Sequence, residues 1–385
     1  MNDLDRKQKT EFAGGRNECL DRIRAAATFL VVLNHTVQLM FPLHPDGIAR
    51  MSGFRKLFGI GLFTAGRLGV PLFLFLSGYL LLPRKYDAGR IRRFYRHNLI
   101  PLLVSWEAWC LVYEAYMVWW LKTPFQAGQW FRRALFLEYE GMPHSWYIPM
   151  ILGVYLFLPF VAMGVQQMEG KILFLLLGMV YLYRFCLESV NLLMDVFHVH
   201  PWNLGELQLD LNFSGDYYGF YLVLGYCFWR YREELGSIMK RARAVILVTA
   251  VFAVSAVFTV WIQIRILQAN YDYNVWYTFF IMPVLGSCAF LLFCRLAQPG
   301  VFRGLVTDIS VHSFGVFLVH VMVIGVLLWK MGLWANLEAQ CLLVTVLTFV
   351  LSVGVTKIGG KIPLLRTLLL VKMPDNVIRV TKPEM

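Results

Sequence analysis

The chain has 385 residues, of which 58% are hydrophobic and 16% are charged, and its mean hydropathy is +0.58. A soluble domain is nearer ~45–50% apolar and ~25% charged. The apolar excess is too large for one buried core, so much of the surface must face lipid. This composition excludes a disordered chain, a disulfide-stapled secreted domain and a basic nucleic-acid binder. We therefore expect membrane lipid, and no nucleic acid, as a partner, although the net charge is +12.

Ten apolar segments approach the length of a membrane span, which takes about 17–25 mostly apolar residues. They are Ile23–Phe41, Leu62–Pro83, Asn98–Leu121, Ser145–Gln166, Ile172–Leu193, Tyr217–Trp229, Ala244–Ile264, Val275–Cys294, Ile309–Trp329 and Ala339–Thr356. The fifth segment contains two charged residues and the sixth is short, so nine or eleven spans remain open. The pattern predicts an all-α integral membrane protein with about ten transmembrane helices.

The distribution of basic residues predicts the orientation. With the polar first 19 residues placed inside, most of the 36 Lys and Arg fall in inner segments, whereas the largest outer loop, residues 191–216, has none. Cytoplasmic loops carry such an excess. We therefore expect both termini in the cytoplasm and three parts: a tail at 1–19, a membrane domain at 20–360 and a second tail at 361–385. The seven cysteines show no CxxC pair and no metal-ligand spacing, which indicates core residues and no metal site.

Arg24 and His35 are the most informative polar pair in the first predicted span. They are eleven residues apart, close to three helical turns, so both lie on one face with about 16 Å between them along the axis. An arginine at the cytoplasmic surface can hold a phosphate, and an imidazole at mid-membrane can act as a base. The alternative is that Arg24 anchors the topology and His35 makes a helix-to-helix hydrogen bond.

Further charged residues flank or enter the third span. Arg93 and Arg96 share a helix face and make a credible phosphate clamp, although an ordinary topology signal explains them too. Glu107 and Glu114 follow on one face of the span. A carboxylate there can orient an imidazole or pair with Arg184 of the fifth span, and the sequence does not decide. A separate prediction is that Arg184 and Glu188, four residues apart, neutralise each other.

Two more histidines are candidates for the site. His320 in the ninth span is about 16 Å deep, level with His35, so the two can share a proton path or a site. Two histidines without a third ligand nearby are a weak metal site. His144 opens the fourth span at the outer face beside Trp146 and Tyr147. These aromatic residues form an interfacial belt by default, but a histidine among them also suits a sugar-type acceptor.

Five motifs follow one another in order along nearly the whole chain. They are Leu20-Asp-Arg-Ile-Arg24 with His35, Arg67 ahead of the run from Gly69 to Tyr79, Arg93-Phe-Tyr-Arg96, His144-Ser-Trp-Tyr147, and the run from Phe314 to His320. Together they resemble the acyltransferase 3 family of bacterial membrane proteins, which acylate exported carbohydrates. Each motif is weak alone, but the ordered set is specific. One departure is Phe317, where the family usually has tyrosine.

The resemblance implies a ten-helix fold that uses cytoplasmic acyl-coenzyme A as a co-substrate, with no tightly bound cofactor. It favours acetyl as the acyl group, with succinyl as an alternative. His35 is then the essential histidine, and Arg24, Arg93 and Arg96 face the donor. We further hypothesise that Glu107 assists His35 in catalysis. The acceptor is expected to contact residues near the outer face, namely Arg67, His144, Trp146 and His320.

The sequence thus predicts a multi-pass O-acyltransferase of the bacterial cytoplasmic (inner) membrane. It moves an acyl group to a hydroxyl of an extracytoplasmic or lipid-linked carbohydrate. The main alternative is a transporter or exporter of a glycan or small anion, because intramembrane His and Arg are also transporter features. Transporters usually show two matching halves, and none is visible here. A scaffold or sensor is a third interpretation. The oligomeric state, a homo-oligomer included, is left open.

Overall fold

The computed structural model describes residues 17–138, 142–199, 204–205, 216–296 and 302–371. Within these ranges all regular secondary structure is helical, which confirms the all-α prediction. The helices are α1 Glu18–Met40, α2 Pro45–Arg50, α3 Gly53–Arg67, α4 Gly69–Leu81, α5 Ala88–Phe94, α6 Ile100–Trp119, α7 Ala127–Ala134, α8 Tyr147–Gln167, α9 Gly170–Val180, α10 Leu187–Val196, α11 Asp216–Arg230, α12 Arg232–Met239, α13 Ala242–Gln268, α14 Ile281–Leu296, α15 Arg303–Met331, α16 Leu337–Gly359 and α17 Pro363–Leu368. Two π-helical turns, Tyr95–Leu99 and Tyr181–Cys186, join α5 to α6 and α9 to α10.

Several helices begin where a polar side chain caps the first turn. The side-chain oxygen of Asn17 accepts a hydrogen bond from the backbone N–H of Cys19 at the start of α1, and Ser52 does the same for Arg55 in α3. Such caps satisfy N–H groups that have no partner within the helix. The cap at Asn17 defines the start of α1 and leaves His35 well inside the same helix.

Seven helical segments of the described chain are long and apolar enough to cross a membrane. They are Glu18–Met40, Gly53–Leu81, Tyr147–Gln167, Gly170–Val196, Ala242–Gln268, Arg303–Met331 and Leu337–Gly359. The other three predicted spans fall on α6, α11 and α14, and the latter two have only 15 and 16 residues. The structure therefore supports a multi-pass membrane protein. The count of ten and the cytoplasmic location of both ends stay predictions.

Helix α1 lies at the centre of the bundle and packs against α3, α4, α14, α15 and α16. Small residues let the junction of α3 and α4 approach it closely. A Cβ atom at Gly66 would meet the backbone of Asn34, and one at Gly69 would meet Val31 and the α1 backbone. This contact places Arg67, which lies between the two glycines, beside the part of α1 that carries His35.

Helices α4 and α11 also touch backbone to backbone. A Cβ atom at Gly78 would meet the carbonyl of Leu222, and one at Gly225 would meet the backbone of Phe75. Only glycine permits so close an approach at these positions. The ring of Phe75 then packs edge-on against Phe290 of α14 at 5.9 Å. These contacts fix α4, which forms part of the wall described below.

The charged pairs of the bundle include both local pairs and pairs between helices. Arg184 and Glu188 form an ion pair at 3.0 Å, which confirms the prediction from their spacing. Glu114 pairs with Arg133 of α7, also at 3.0 Å. All seven cysteines are free thiols, four of them buried, which agrees with the interpretation as core residues.

The segment after α16 packs onto the bundle. The side chains of Ser105 and Trp109 in α6 both donate hydrogen bonds to the carbonyl of Leu368, at 2.5 and 3.3 Å. The first part of the predicted 361–385 tail is therefore attached to α6. Residues 1–16 and 372–385 lie outside the described residues, so the predicted tails and domain boundaries stay predictions.

Candidate functional site

A cavity of about 370 Å³ lies where five parts of the chain meet. Its wall is formed by α1, the junction of α3 and α4, the segment before α8, the segment before α14, and α15. His35, Arg67 and His144 are among the lining residues, together with Trp146 and Phe317. None of the described residues that line it is Asp or Glu. The sequence motifs around these residues, distant along the chain, therefore converge on one cavity.

Three histidine rings pack together at this cavity. The ring centroids of His35 and His320 are 5.2 Å apart, those of His144 and His320 are 4.9 Å apart, and those of His35 and His144 are 6.1 Å apart. His35 and His144 line the wall, and the fully buried His320 contacts both rings. The expectation that His320 lies level with His35 agrees with this contact.

The hydrogen-bond partners of His35 and His320 define which nitrogen carries the proton. His35 Nδ1 is 3.1 Å from Oε1 of Gln38, and His320 Nδ1 is 2.6 Å from the carbonyl of Phe317. Both oxygens only accept, so each Nδ1 carries the hydrogen. Each Nε2 then has a bare lone pair, and no described residue donates to it. Both rings thus offer a proton acceptor.

His144 has the opposite tautomer for the same reason. The hydroxyl of Tyr113 donates to the carbonyl of Leu318 at 3.1 Å and lies 3.0 Å from His144 Nε2. Because its hydrogen is directed to the carbonyl, the hydroxyl accepts from His144 Nε2–H. His144 Nδ1 is buried, bare and without a partner among the described residues. All three rings therefore hold a free lone pair.

These rings do not form a metal centre as they stand. Among the residues that the structure describes, no group of three His, Cys, Asp or Glu is placed to hold a metal ion. The arrangement suits proton transfer from a hydroxyl instead, because an imidazole lone pair that faces a cavity is a hydrogen-bond acceptor and a base.

Arg67 is the charged group of the cavity wall and is only 4% exposed. Its guanidinium carbon is 4.0 Å from the ring centroid of Trp276 and 4.4 Å from that of Phe63. Nε and Nη1 are buried and have no hydrogen-bond partner in the described chain. Aromatic faces partly offset the desolvation of a cation, but the unused N–H groups remain available to a ligand.

Aromatic rings form the side of the cavity around Trp146. Its ring is stacked on Tyr218 with centroids 5.8 Å apart, and lies 5.6 Å from Trp276 and 5.7 Å from Tyr277. Trp146, Trp276 and Tyr277 line the cavity. An amphipathic wall of this kind suits the apolar face and the hydroxyls of a sugar.

Arg24 lies in a polar network near the start of α1, away from this wall. It donates a hydrogen bond to Ser310 at 2.9 Å, and Ser310 donates to Asp21 at 2.6 Å. Arg24 and Asp21 are also paired at 3.4 Å. This network ties α1 to α15 and holds the guanidinium in place.

Arg93 and Arg96 occupy the last turn of α5 and the π-helical turn after it. Both are exposed, and neither has an ion pair with another described residue. Irregular π-helical turns are frequent at functional sites. The structure shows no contact between these two residues and Arg24, so the predicted three-arginine donor site stays a prediction.

Glu107 does not line the cavity. It is half-buried in α6, and the partner of His35 is the amide of Gln38. The spacing of Glu107, two helical turns into the span, made it a candidate partner of His35. The structure instead places Gln38, three residues after His35 on α1, within hydrogen-bonding distance of the imidazole. The structure thus gives Glu107 no contact through which it would orient His35.

Sequence reasoning missed four residues that the structure brings to the site. Gln38 follows His35 by three residues, so helical spacing alone signalled it. Tyr113 is one of several aromatic residues in α6, and nothing in its neighbourhood marked it. Trp276 and Tyr277 belong to a loop, where a run of aromatic and polar residues before α14 was the only signal.

Comparison with known proteins gives one match. A family model described as an acyltransferase domain, Acyl_transf_3, matches residues 17–357. No significant match was found among curated proteins or among solved structures. The matched range contains the whole cavity wall and the arginines of α1 and α5.

Proposed function

The chain belongs to the acyltransferase 3 family, and from that premise we propose that it transfers an acyl group, preferably acetyl, from acyl-coenzyme A to a carbohydrate hydroxyl. The donor is cytoplasmic, and the acceptor is an extracytoplasmic or lipid-linked glycan. The protein would act in the cytoplasmic membrane of a bacterium. The single observation that carries the proposal is the bare Nε2 of His35 at a cavity shared with His144 and Arg67.

In the proposed reaction His35 is the general base. A sugar hydroxyl is a poor nucleophile at neutral pH, and Nε2 can take its proton as attack begins. The hydroxyl oxygen forms a bond to the thioester carbonyl carbon, and the tetrahedral intermediate collapses with cleavage of the C–S bond. The imidazolium returns its proton to the leaving sulfur. The products are the sugar ester and coenzyme A with a free thiol.

The neighbouring histidines support this role by their tautomers. Because His320 and His144 also present lone pairs, neither donates a hydrogen bond that would occupy His35 Nε2. The Gln38 amide accepts from Nδ1 and keeps the lone pair on the nitrogen that is left free at the cavity. The imidazolium that forms in the transition state keeps this hydrogen bond.

Two donor-side elements complete the proposal. Arg93 and Arg96 are exposed and have no ion pair with another described residue, and guanidinium groups of this kind bind phosphates well. Arg24, which lies about 16 Å along α1 from His35, would bind a further part of coenzyme A. Glu107 has no step in this reaction.

A covalent variant of the mechanism is chemically balanced too. In it His35 Nε2 attacks the thioester first, coenzyme A leaves, and the acyl-imidazole then passes the acyl group to the alcohol. Intact-protein mass spectrometry after rapid mixing with acetyl-coenzyme A separates the two routes. An added acetyl mass on the wild type that is lost in His35→Gln identifies the covalent route.

The test of the function is release of coenzyme A thiol from labelled acetyl-coenzyme A by the purified protein with envelope glycan extracts. We expect thiol release that depends on glycan, with label transferred to it. Mass spectrometry of cell-envelope glycans with and without the protein then identifies the ester. Glycan movement across vesicles without thiol release would show the transporter alternative and sink the proposal.

A further inference from the structure

Arg67 is a buried cation that faces no counter-charge among the described residues of the cavity wall. Every other described side chain of the wall is neutral or a histidine, and none of them is a carboxylate. The ring centroids of Trp276 and Phe63 lie 4.0 and 4.4 Å from the guanidinium carbon. A buried charge without a partner is costly, so a site keeps one only where it is used. An anion in the cavity would supply the missing partner.

The polar groups of the cavity wall are of two kinds. The bare nitrogens of His35 and His144 accept hydrogen bonds but donate none. Arg67 only donates, and two of its three nitrogens have no described partner. A ligand that matches both kinds of group has hydroxyls and an oxyanion.

We propose that Arg67 binds a permanent oxyanion on the acceptor, a carboxylate or a phosphate, so that the substrate class is an acidic carbohydrate. The identification of the ligand as the acceptor rests on the proposed function, but the anion site itself does not depend on acyl transfer. Arg67 would hold the acidic end of the sugar against Trp276, which leaves a hydroxyl beside His35. A neutral sugar would leave Nε and Nη1 of Arg67 without an anionic partner.

The test is equilibrium binding to the purified protein without any acyl donor. The probes are glucuronic acid, glucose 6-phosphate and glucose, measured by calorimetry and by thermal stabilisation. We expect one or both acidic sugars to bind at least about tenfold more tightly than glucose, because a desolvated charge pair is strong. The acid that binds identifies the source of the oxyanion. Equal binding of all three sugars overturns the proposal, and this comparison needs no variant.

Variants test whether the preference for acidic sugars over glucose depends on Arg67. Arg67→Gln should remove it, and Arg67→Lys should keep part of it because the charge stays while the planar donor array is lost. Arg265→Gln is the matched control: this arginine also faces a ring, that of Phe197 at 6.0 Å, but does not line the cavity. We expect the control to behave as wild type. A preference that survives in folded Arg67→Gln contradicts the proposal.

Two further outcomes would assign Arg67 to something else. Tight binding of succinate together with weak binding of both acidic sugars would place the anion on the acyl group. A loss of kcat for acidic and neutral acceptors alike, with binding unchanged, would assign Arg67 to the transient oxyanion of the thioester. Either result overturns the acidic-acceptor proposal. If acidic sugars bind but no thiol is ever released, the proposed function fails and the anion site stands.

Discussion

The arginine of the cavity and the two arginines that precede α6, Arg93 and Arg96, have opposite environments. Arg67 is buried between rings with unused N–H groups, whereas Arg93 and Arg96 are exposed and solvated. Gain or loss of a charged partner changes the free energy of a buried cation strongly, whereas it changes that of an exposed cation only slightly. On the proposed function, we therefore expect selectivity and proton transfer to depend on the cavity, and the exposed arginines to contribute donor affinity in small, additive steps.

The largest effect is expected at His35. His35→Gln should lower thiol release by more than about 100-fold, the usual contribution of a positioned general base. The folded protein should remain, because glutamine occupies a similar volume. Glu107→Gln is the control within the membrane domain and should stay within about twofold of wild type, since Glu107 touches no part of the cavity. The contrast disappears if both variants lose activity equally.

Tyr113→Phe probes whether the tautomer of His144 matters. Loss of the hydroxyl leaves His144 Nε2 and the Leu318 carbonyl without their shared partner, and we expect activity to fall about tenfold. The control is Tyr116→Phe, one helical turn along α6, whose hydroxyl is not bonded to a histidine. Unchanged turnover in Tyr113→Phe would show that His144 needs no orienting group.

Arg93→Gln and Arg96→Gln test how much the exposed arginines contribute to donor binding. Each should raise the KM for acyl-coenzyme A by about threefold with little change in kcat, because an exposed cation contributes about 1 kcal/mol or less of ground-state binding. The increase should shrink as salt is raised. A fall in kcat at constant KM would instead place these side chains at the reacting groups.

The smallest effect on activity is expected at Ser310. Ser310→Ala removes the hydroxyl that links Asp21 to Arg24 and should destabilise the fold by about 1–2 kcal/mol, with turnover at low temperature nearly unchanged. A lowered thermal midpoint in detergent checks this. A large rise in donor KM without loss of stability would show that the network positions Arg24 for the donor.

Much of this architecture follows from the sequence. The spacing of Arg24 and His35 places them on one helix, and depth along α15 predicted that His320 lies level with His35, whose ring centroid is 5.2 Å away. What the sequence does not contain is which side chains from other helices arrive beside them. Tyr113 reaches His144 only through tertiary packing, and the wrong orienting partner, Glu107, had an equally good helical position.

The same limit explains Arg67. The sequence places Arg67 inside one predicted span, Leu62–Pro83, but its burial beside Phe63 and Trp276 depends on the close approach of α3 to α1 at Gly66. Local periodicity contains no information about such a contact. The number of membrane spans is also not determined. Seven of the described helices are long and apolar enough to cross a membrane, and the other three predicted spans correspond to helices that are shorter or more polar.

The most direct measurement is an electron cryomicroscopy map of the purified protein bound to a non-hydrolysable thioether analogue of acetyl-coenzyme A. We expect density for the acyl end of the analogue inside the cavity. The carbon that replaces the thioester carbonyl carbon should lie within about 4 Å of Nε2 of His35. An analogue bound elsewhere, or an imidazole of His35 turned toward lipid with the cavity closed to the acyl chain, would contradict it.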